Sequence, residues 1–411
     1  MIGKRTLWIG MVLSGSIGTI LYTASYFSGA FLMLGAILLY GAIEAHNKGP
    51  GRIEEILKQL LRLIGIPLLG IFLAVAIGAL IMLITGYNPI DGLKALFYGG
   101  MIKNWHISTL NAAPLIFTGL AVAVAFKAGL FNIGAEGQYY IGAMAATWLG
   151  IHLGFSGWFA IPLIFLISGA IAATFNYIPA VLKVKTGAHE VVTTMMFAYC
   201  AKYLSNIFIR LTGGDPTISK HPYITDPILN SNWLPRFRPY LSDANYRLHA
   251  GILIAVLMAL LVHYLLNRTK IGFEIRAVGT NPEAARTQGI SIGRTIVVVM
   301  LISGALAGFA GVNQVLGLDH RLFQNTHADY GWNGISVALL AGNNPVGVIF
   351  TAYLWGVLDA GGQYMARTEQ IPNSIVEIIK GTILFLVVAK YMYNNLGSKI
   401  NRVFTKKKAI T

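Results

Sequence analysis

Apolar runs of membrane length, separated by short polar stretches, dominate this chain and leave it few ways to fold. The runs lie at about Leu63–Thr85, Leu110–Phe126, Ile133–Leu153, Trp158–Leu182, Val191–Ile209, Ala250–Leu266, Thr295–Leu316, Pro345–Ala360 and Ser374–Tyr391. A lipid core supplies no partner for backbone N–H and C=O groups, so spanning segments of this kind must be helices. One apolar piece, Trp332–Ala341, is too short to span and reads as a re-entrant or half helix, tolerated where protein buries it or where it lines a cavity. Only 11% of the 411 residues are charged, against about 25% in soluble domains. The fold class is therefore all-α: a polytopic membrane helix bundle of about 11–12 spans, counting the short helix.

The amino terminus adds Leu7–Tyr26 and Ser28–Ile43, which read as a membrane hairpin over 1–45; a signal peptide is the alternative for the first run. A polar amphipathic segment, 46–62, leads into a core over 63–393, and a basic tail occupies 394–411. The net charge of +15 in a soluble protein would point to nucleic acid; here basic loops facing anionic headgroups account for it, and no nucleic-acid partner is expected. With the amino terminus inside and the short piece counted as a crossing, 20 of the 31 Lys and Arg residues fall inside and 9 outside, leaving Lys202 and Lys380 within spans. Both termini and the stretch 267–294 are then cytoplasmic, and 211–248 is an extracytoplasmic loop whose prolines forbid regular helix. That loop reads as a connector or as a surface that meets an outside partner. The single cysteine, Cys200, excludes an internal disulfide.

Within 267–294 the order Asn281, Pro282, Gly289 predicts a two-turn helix over Pro282–Gln288: an N-cap, a first-position proline and a left-handed stop. Glu283 and Arg286 are spaced to pair on its exposed side, and Ala284 and Ala285 give it a small-residue face that a groove on another protein could approach. The alternative is an ordinary polar loop.

No GxxxxGK[ST], HExxH or Cys-x-x-Cys pattern occurs, and the histidines are scattered, so neither a nucleotide site, a metal site nor a catalytic constellation is expected. The polar residues that interrupt the apolar runs are the candidates for a solute pathway. Asn132, Glu136 and Gln138 open one run and read either as a pathway-lining cluster or as an interfacial helix start. His189 and Glu190 open another; Asn313 and Gln314 follow a glycine-rich run; Trp332, Asn333, Asn343 and Asn344 bracket the short piece. Amides and aromatics suit a neutral polar solute, and a flat ring could stack on Trp332. Glu377 is spaced to neutralise Lys380.

Five stretches in order, Gly119–Ala146, Gly187–Met196, Arg276–Ile290, Ile302–Gly311 and Tyr330–Val348, resemble the permease family of bacterial ABC importers for ribose-type sugars, branched-chain amino acids and nucleosides. The likeness covers about Leu60–Tyr391; the GxxEVVTTMM and GWNGISVALLAGNNPxGV patterns most resemble the nucleoside branch, and the hairpin Leu7–Ile43 departs from the common pattern. The resemblance implies a type II importer-like permease in the bacterial cytoplasmic (inner) membrane. It implies a second permease, forming a heterodimer, a solute-binding lipoprotein outside, and separate ABC ATPase subunits that hold ATP and Mg; this chain would bind no cofactor and hydrolyse nothing. The family's coupling segment maps onto Gly279–Gly289, that is Gly279, Asn281, Pro282, Glu283, Ala284, Ala285, Arg286 and Gly289. Sugar or branched-chain amino-acid import is the near alternative. An ion-coupled secondary carrier using Glu136, Asp359 and Glu377 is the more distant one.

Overall fold

The computed structural model describes residues 70–154, 159–212, 224–237, 247–324 and 329–389. The hairpin over 1–45, the segment 46–62 and the tail 394–411 lie outside these residues. The described chain is helical, in the order α1 (Gly70–Ile84), α2 (Pro89–Tyr98), α3 (Trp105–Lys127), α4 (Ala135–His152), α5 (Ala160–Thr186), α6 (Glu190–Thr212), α7 (Gly251–Arg268), α8 (Lys270–Thr280), α9 (Pro282–Thr287), α10 (Ile292–Gln314), α11 (Tyr330–Leu340), α12 (Pro345–Thr368) and α13 (374–389). Four of them, α3, α5, α7 and α10 with its extension to Asp319, are long and apolar enough to cross a membrane. The protein is a polytopic helical membrane protein.

The residues form two compact units, Thr109–Gly356 and the flanking sequence on either side of it. In the flanking unit Asn88 caps α2, its side chain accepting from Ile90 N at 3.0 Å. That helix, followed by a wide turn over Gly99–Lys103, had no counterpart among the apolar runs. Lys380 on α13 is buried and pairs with Glu377 at 3.0 Å, as its spacing predicted, and also with Asp359 on α12. A lysine without carboxylates would be costly there.

In the central unit α10 packs most extensively against α5 and α4. The small residues of Ser303–Gly311 make that possible. A Cβ on Gly142 of α4 would lie 2.2 Å from the Gly308 carbonyl oxygen, and one on Gly311 would lie 2.2 Å from the Tyr139 carbonyl oxygen. The two helices therefore touch backbone to backbone, where dispersion contacts are dense. On α7 the polarity of a soluble helix is inverted: Gly251, Ala255 and Ala259 face inward, while Leu253, Leu257 and Leu261 are exposed. That arrangement suits a helix with lipid on one side.

The short apolar piece is a real, short helix. The 11 residues of α11 reach about 16 Å at the usual rise, roughly half of a hydrocarbon core. The chain then turns at Gly342 and Asn343, both left-handed, and Thr351 of α12 donates to the Val337 carbonyl of α11 at 2.9 Å.

Gly142→Val is expected to destabilise the protein by about 1–3 kcal/mol, because the helices must part. Gly381→Ala, with nothing within 4 Å of the added carbon, should be neutral or stabilising by up to about 1 kcal/mol. Unfolding in mixed micelles followed by tryptophan fluorescence measures both.

Candidate functional site

Three polar features of the central unit stand out. The first is α9. Asn281 caps it as predicted, its side chain accepting from Ala284 N at 3.1 Å, and Gly289 beyond its end has φ +79°. Glu283 and Arg286 approach to 3.7 Å, both largely exposed, a pair worth little in stability. One expectation is corrected: Ala284 is exposed, but Ala285 is buried at 3%. Ala285 is turned toward its own chain and anchors α9 there, so the two alanines do not form one exposed face. The preceding helix, α8, rests on the end of α3, since a Cβ on Gly279 would lie 2.1 Å from the Lys127 carbonyl oxygen. No apolar run in the sequence marks α8. Thr269 caps it by accepting from Gly272 N at 3.1 Å.

The second feature is a cleft of about 150 Å³ between α4, α6 and the start of α11. Glu136 and Tyr140 line it from α4, Ala198, Tyr199 and Lys202 from α6, and Asp329 and Trp332 from the entry to α11. Glu136 is 5% exposed, and its Oε2 accepts from Gly331 N at 2.6 Å. A carboxylate on α4 thus caps the N-terminus of α11, where unpaired N–H groups and the helix dipole favour it. Gly331 is required for the approach: a Cβ there would lie 2.1 Å from Glu136 N. A second bond, Thr118 Oγ1 to the Tyr330 carbonyl at 2.8 Å, ties α11 to α3.

Of the predicted pathway residues, only Glu136 and Trp332 meet in this cleft. Asn132 and Gln138 do not line it. They are buried and bonded to each other, Asn132 Nδ2 donating to Gln138 Oε1 at 3.0 Å and to Ser303 Oγ at 2.8 Å, and Ser303 donating to the Ala121 carbonyl at 2.7 Å. This closed network joins α3, α4 and α10, with its donors and acceptors already used. His189 is exposed, and Glu190 pairs with Lys183 at 2.8 Å across the α5–α6 turn. Asn333 is half-buried one residue beyond Trp332. Asn343 and Asn344 belong to the other end of α11, where Asn344 caps α12 by accepting from Val346 N at 3.0 Å; they are turn residues. Asn313 is buried against Gly251, and Gln314 is half-buried beside it. Tyr140, Tyr199, Lys202 and Asp329 were not among the predicted site residues. A lysine near the middle of a 23-residue helix, within the apolar run Val191–Ile209, was the signal available for Lys202.

The third feature is the described part of the stretch 211–248, which is packed rather than a free connector. Ile228 N donates to the His320 carbonyl at 2.9 Å, Leu229 N to Gly150 at 3.0 Å and Leu234 N to Leu316 at 2.9 Å. Trp233 stacks on His320 with ring centroids 3.7 Å apart, and Arg236 Nη2 lies 2.7 Å from His320 Nε2. A guanidinium only donates, so His320 accepts and is neutral. His249 accepts from Gly251 N through Nδ1 at 3.1 Å. Burial first, then the Arg236 charge, pushes both imidazoles down to about 4.

The described residues thus combine helices of membrane length with a short helix and a polar cleft. A family model described as branched-chain amino acid transport system / permease component matches residues 106–388, and the chain belongs to that family. It is similar to the guanosine ABC transporter permease protein NupP of Bacillus subtilis, 35% identical over 340 residues, covering 82% of this chain and 96% of that protein. It is similar to the nucleoside ABC transporter permease protein NupB of Lactococcus lactis, 34% identical over 357 residues, 84% of this chain and 96% of that one. The glucose ABC transporter permease protein TsgB13 of Haloferax volcanii is 31% identical over 337 residues, 80% and 88%. Each of the two bacteria also holds a second similar permease, 25% and 24% identical. No solved structure matches the chain.

A histidine whose folded pKa lies below its ordinary value of about 6.5 is protonated more readily in the unfolded chain. Stability is therefore full above that value and falls as pH drops toward about 4. The melting temperature in detergent should decrease from pH 7 to pH 5, and His320→Gln should flatten the decrease. A pH-independent melting temperature in the unsubstituted protein would contradict neutral, buried imidazoles.

Proposed function

We propose that the chain is the translocation subunit of an ATP-driven importer of nucleosides. The observation that carries this is its similarity, over nearly the full length of the relatives, to permeases named for guanosine and nucleosides. ATP and Mg are held by a separate ATPase, which docks on α9 from the cytoplasm. A second, homologous permease completes the pathway, as the paired permeases of the two bacteria suggest. A solute-binding lipoprotein delivers the nucleoside at the outer face of the inner membrane, and both termini are cytoplasmic.

On this reading the chain supplies a switch and no chemistry. Closure of the ATPase pushes α9. The push reaches α3 through the contact of Gly279 with the Lys127 carbonyl, and α3 holds α11 through Thr118. The free energy of switching comes from the difference in ATPase contacts between two states.

Sugar import is the second reading, favoured by the glucose permease of Haloferax volcanii. The carboxylates that an ion-coupled carrier would use are engaged: Asp359 and Glu377 with Lys380, and Glu136 with the N-terminus of α11.

Ala284→Glu puts a charge on the exposed side of α9. In proteoliposomes holding the complete transporter, nucleoside uptake should fall at least about tenfold, the cost of a mismatched charge in an interface. The chain itself should still purify folded. Unchanged uptake would count against docking there. Ala285→Glu should fail to fold, since it buries an unpaired charge.

A further inference from the structure

Two lysines on the long helices of the described chain are neutralised by carboxylates. Lys183 meets Glu190, and Lys380 meets Asp359 and Glu377. Lys202 has no ion-pair partner among the described residues. It is half-buried near the middle of α6 and lines the cleft. Facing lipid, such a lysine would be costly. Its position in a cleft answers that cost only if the cleft holds water or a solute.

The walls of the cleft are unlike one another. Lys202 offers hydrogen-bond donors from α6. Asp329 and Glu136 offer acceptors from the α11 entry and α4, and Glu136 is fixed in place by its bond to Gly331 N. Trp332 and Tyr199 add aromatic surface. Asp329 faces the Lys202 ammonium, and Glu136 is buried, so the cleft has no surplus positive charge with which to hold a phosphorylated or otherwise anionic solute. Its volume of about 150 Å³ is below the roughly 300 Å³ at which pockets for drug-sized molecules begin, so one ring system enters and the rest of the solute stays outside.

We propose that this cleft holds the base of the transported nucleoside, specifically a neutral ring that carries both a carbonyl and an N–H, such as an oxopurine or a pyrimidine dione. Lys202 donates to the carbonyl. Asp329 or the remaining acceptor capacity of Glu136 takes the ring N–H. Trp332 and Tyr199 cover the flat faces, and the sugar remains in the pathway. The specificity-determining residues are then Lys202 and Trp332, and the permease itself, beyond its binding lipoprotein, rejects nucleotides. This rests on the nucleoside reading.

The test uses the complete transporter in proteoliposomes with saturating, inosine-loaded binding lipoprotein. Lys202→Met should lower inosine uptake at least about tenfold, the loss of one charge-assisted hydrogen bond, with assembly on the ATPase unchanged. Lys202→Arg should keep uptake within about threefold of the unsubstituted protein, because a donor is retained. In the detergent-solubilised complex without lipoprotein, inosine should quench tryptophan fluorescence. Trp332→Phe should remove that quench, and inosine monophosphate should require at least about tenfold more ligand, as expected for a phosphate that finds no cation left to pair with in the cleft. Full uptake by Lys202→Met, a quench that survives Trp332→Phe, or equal quenching by the monophosphate would each overturn the proposal. If the unsubstituted transporter imports no nucleoside, the functional reading fails and this proposal falls with it. If import is intact and the variants have no effect, only this proposal fails.

Discussion

The backbone contact between α4 and α10 is the constraint from which the central unit follows. Gly142 meets Gly308, and Gly311 meets the Tyr139 carbonyl, at distances no Cβ would allow. In lipid there is little hydrophobic gain from bringing two apolar helices together, so close packing and internal hydrogen bonds must supply the attraction. The glycines provide the first. The second lies a turn or two away, where Asn132 bonds Ser303 and Gln138 and fixes the start of α4 against α10 and α3. Once α4 is set, Glu136 stands where it caps α11, and the half helix has a partner for its N-terminus.

That dependence explains why one carboxylate serves two purposes. Glu136 is buried, yet it borders a cleft. One of its oxygens is committed to Gly331 N, which makes α11 an extension of the α4 framework rather than a free flap. A solute in the cleft would therefore be read by a framework that also holds α3, the helix whose far end supports α8 and, through it, α9. The structure joins peg and cleft through α3 without a continuous wire of polar residues, by rigid helices in contact.

Much of this was legible in the sequence. Apolar runs gave the helices because lipid leaves the backbone no alternative, and the α9 cap was readable because Asn, Pro and Gly each act locally. The length of α11 was readable for the same reason. Three things were not. The α2 helix follows from an Asn88 cap in a stretch of mixed polarity, where periodicity carries little information. Ala285 faces inward because of how α9 leans on its neighbours, which spacing within α9 does not encode. Asn132 and Gln138 looked like pathway residues because a buried amide and a solute-facing amide have the same signature in one dimension; only their mutual bonds separate them. Conversely, Tyr199 and Lys202 became site residues only when α6 was placed beside α4 and α11.

As proposed, the chain is a gate moved by a separate ATPase. The most direct measurement is solute accumulation in vesicles that contain this chain and its companion permease but no ATPase, with a sodium or proton gradient imposed. No concentrative uptake of nucleoside is expected in either gradient. Accumulation above the external concentration would show that the chain couples to ions by itself, and would contradict a gate moved by a separate ATPase.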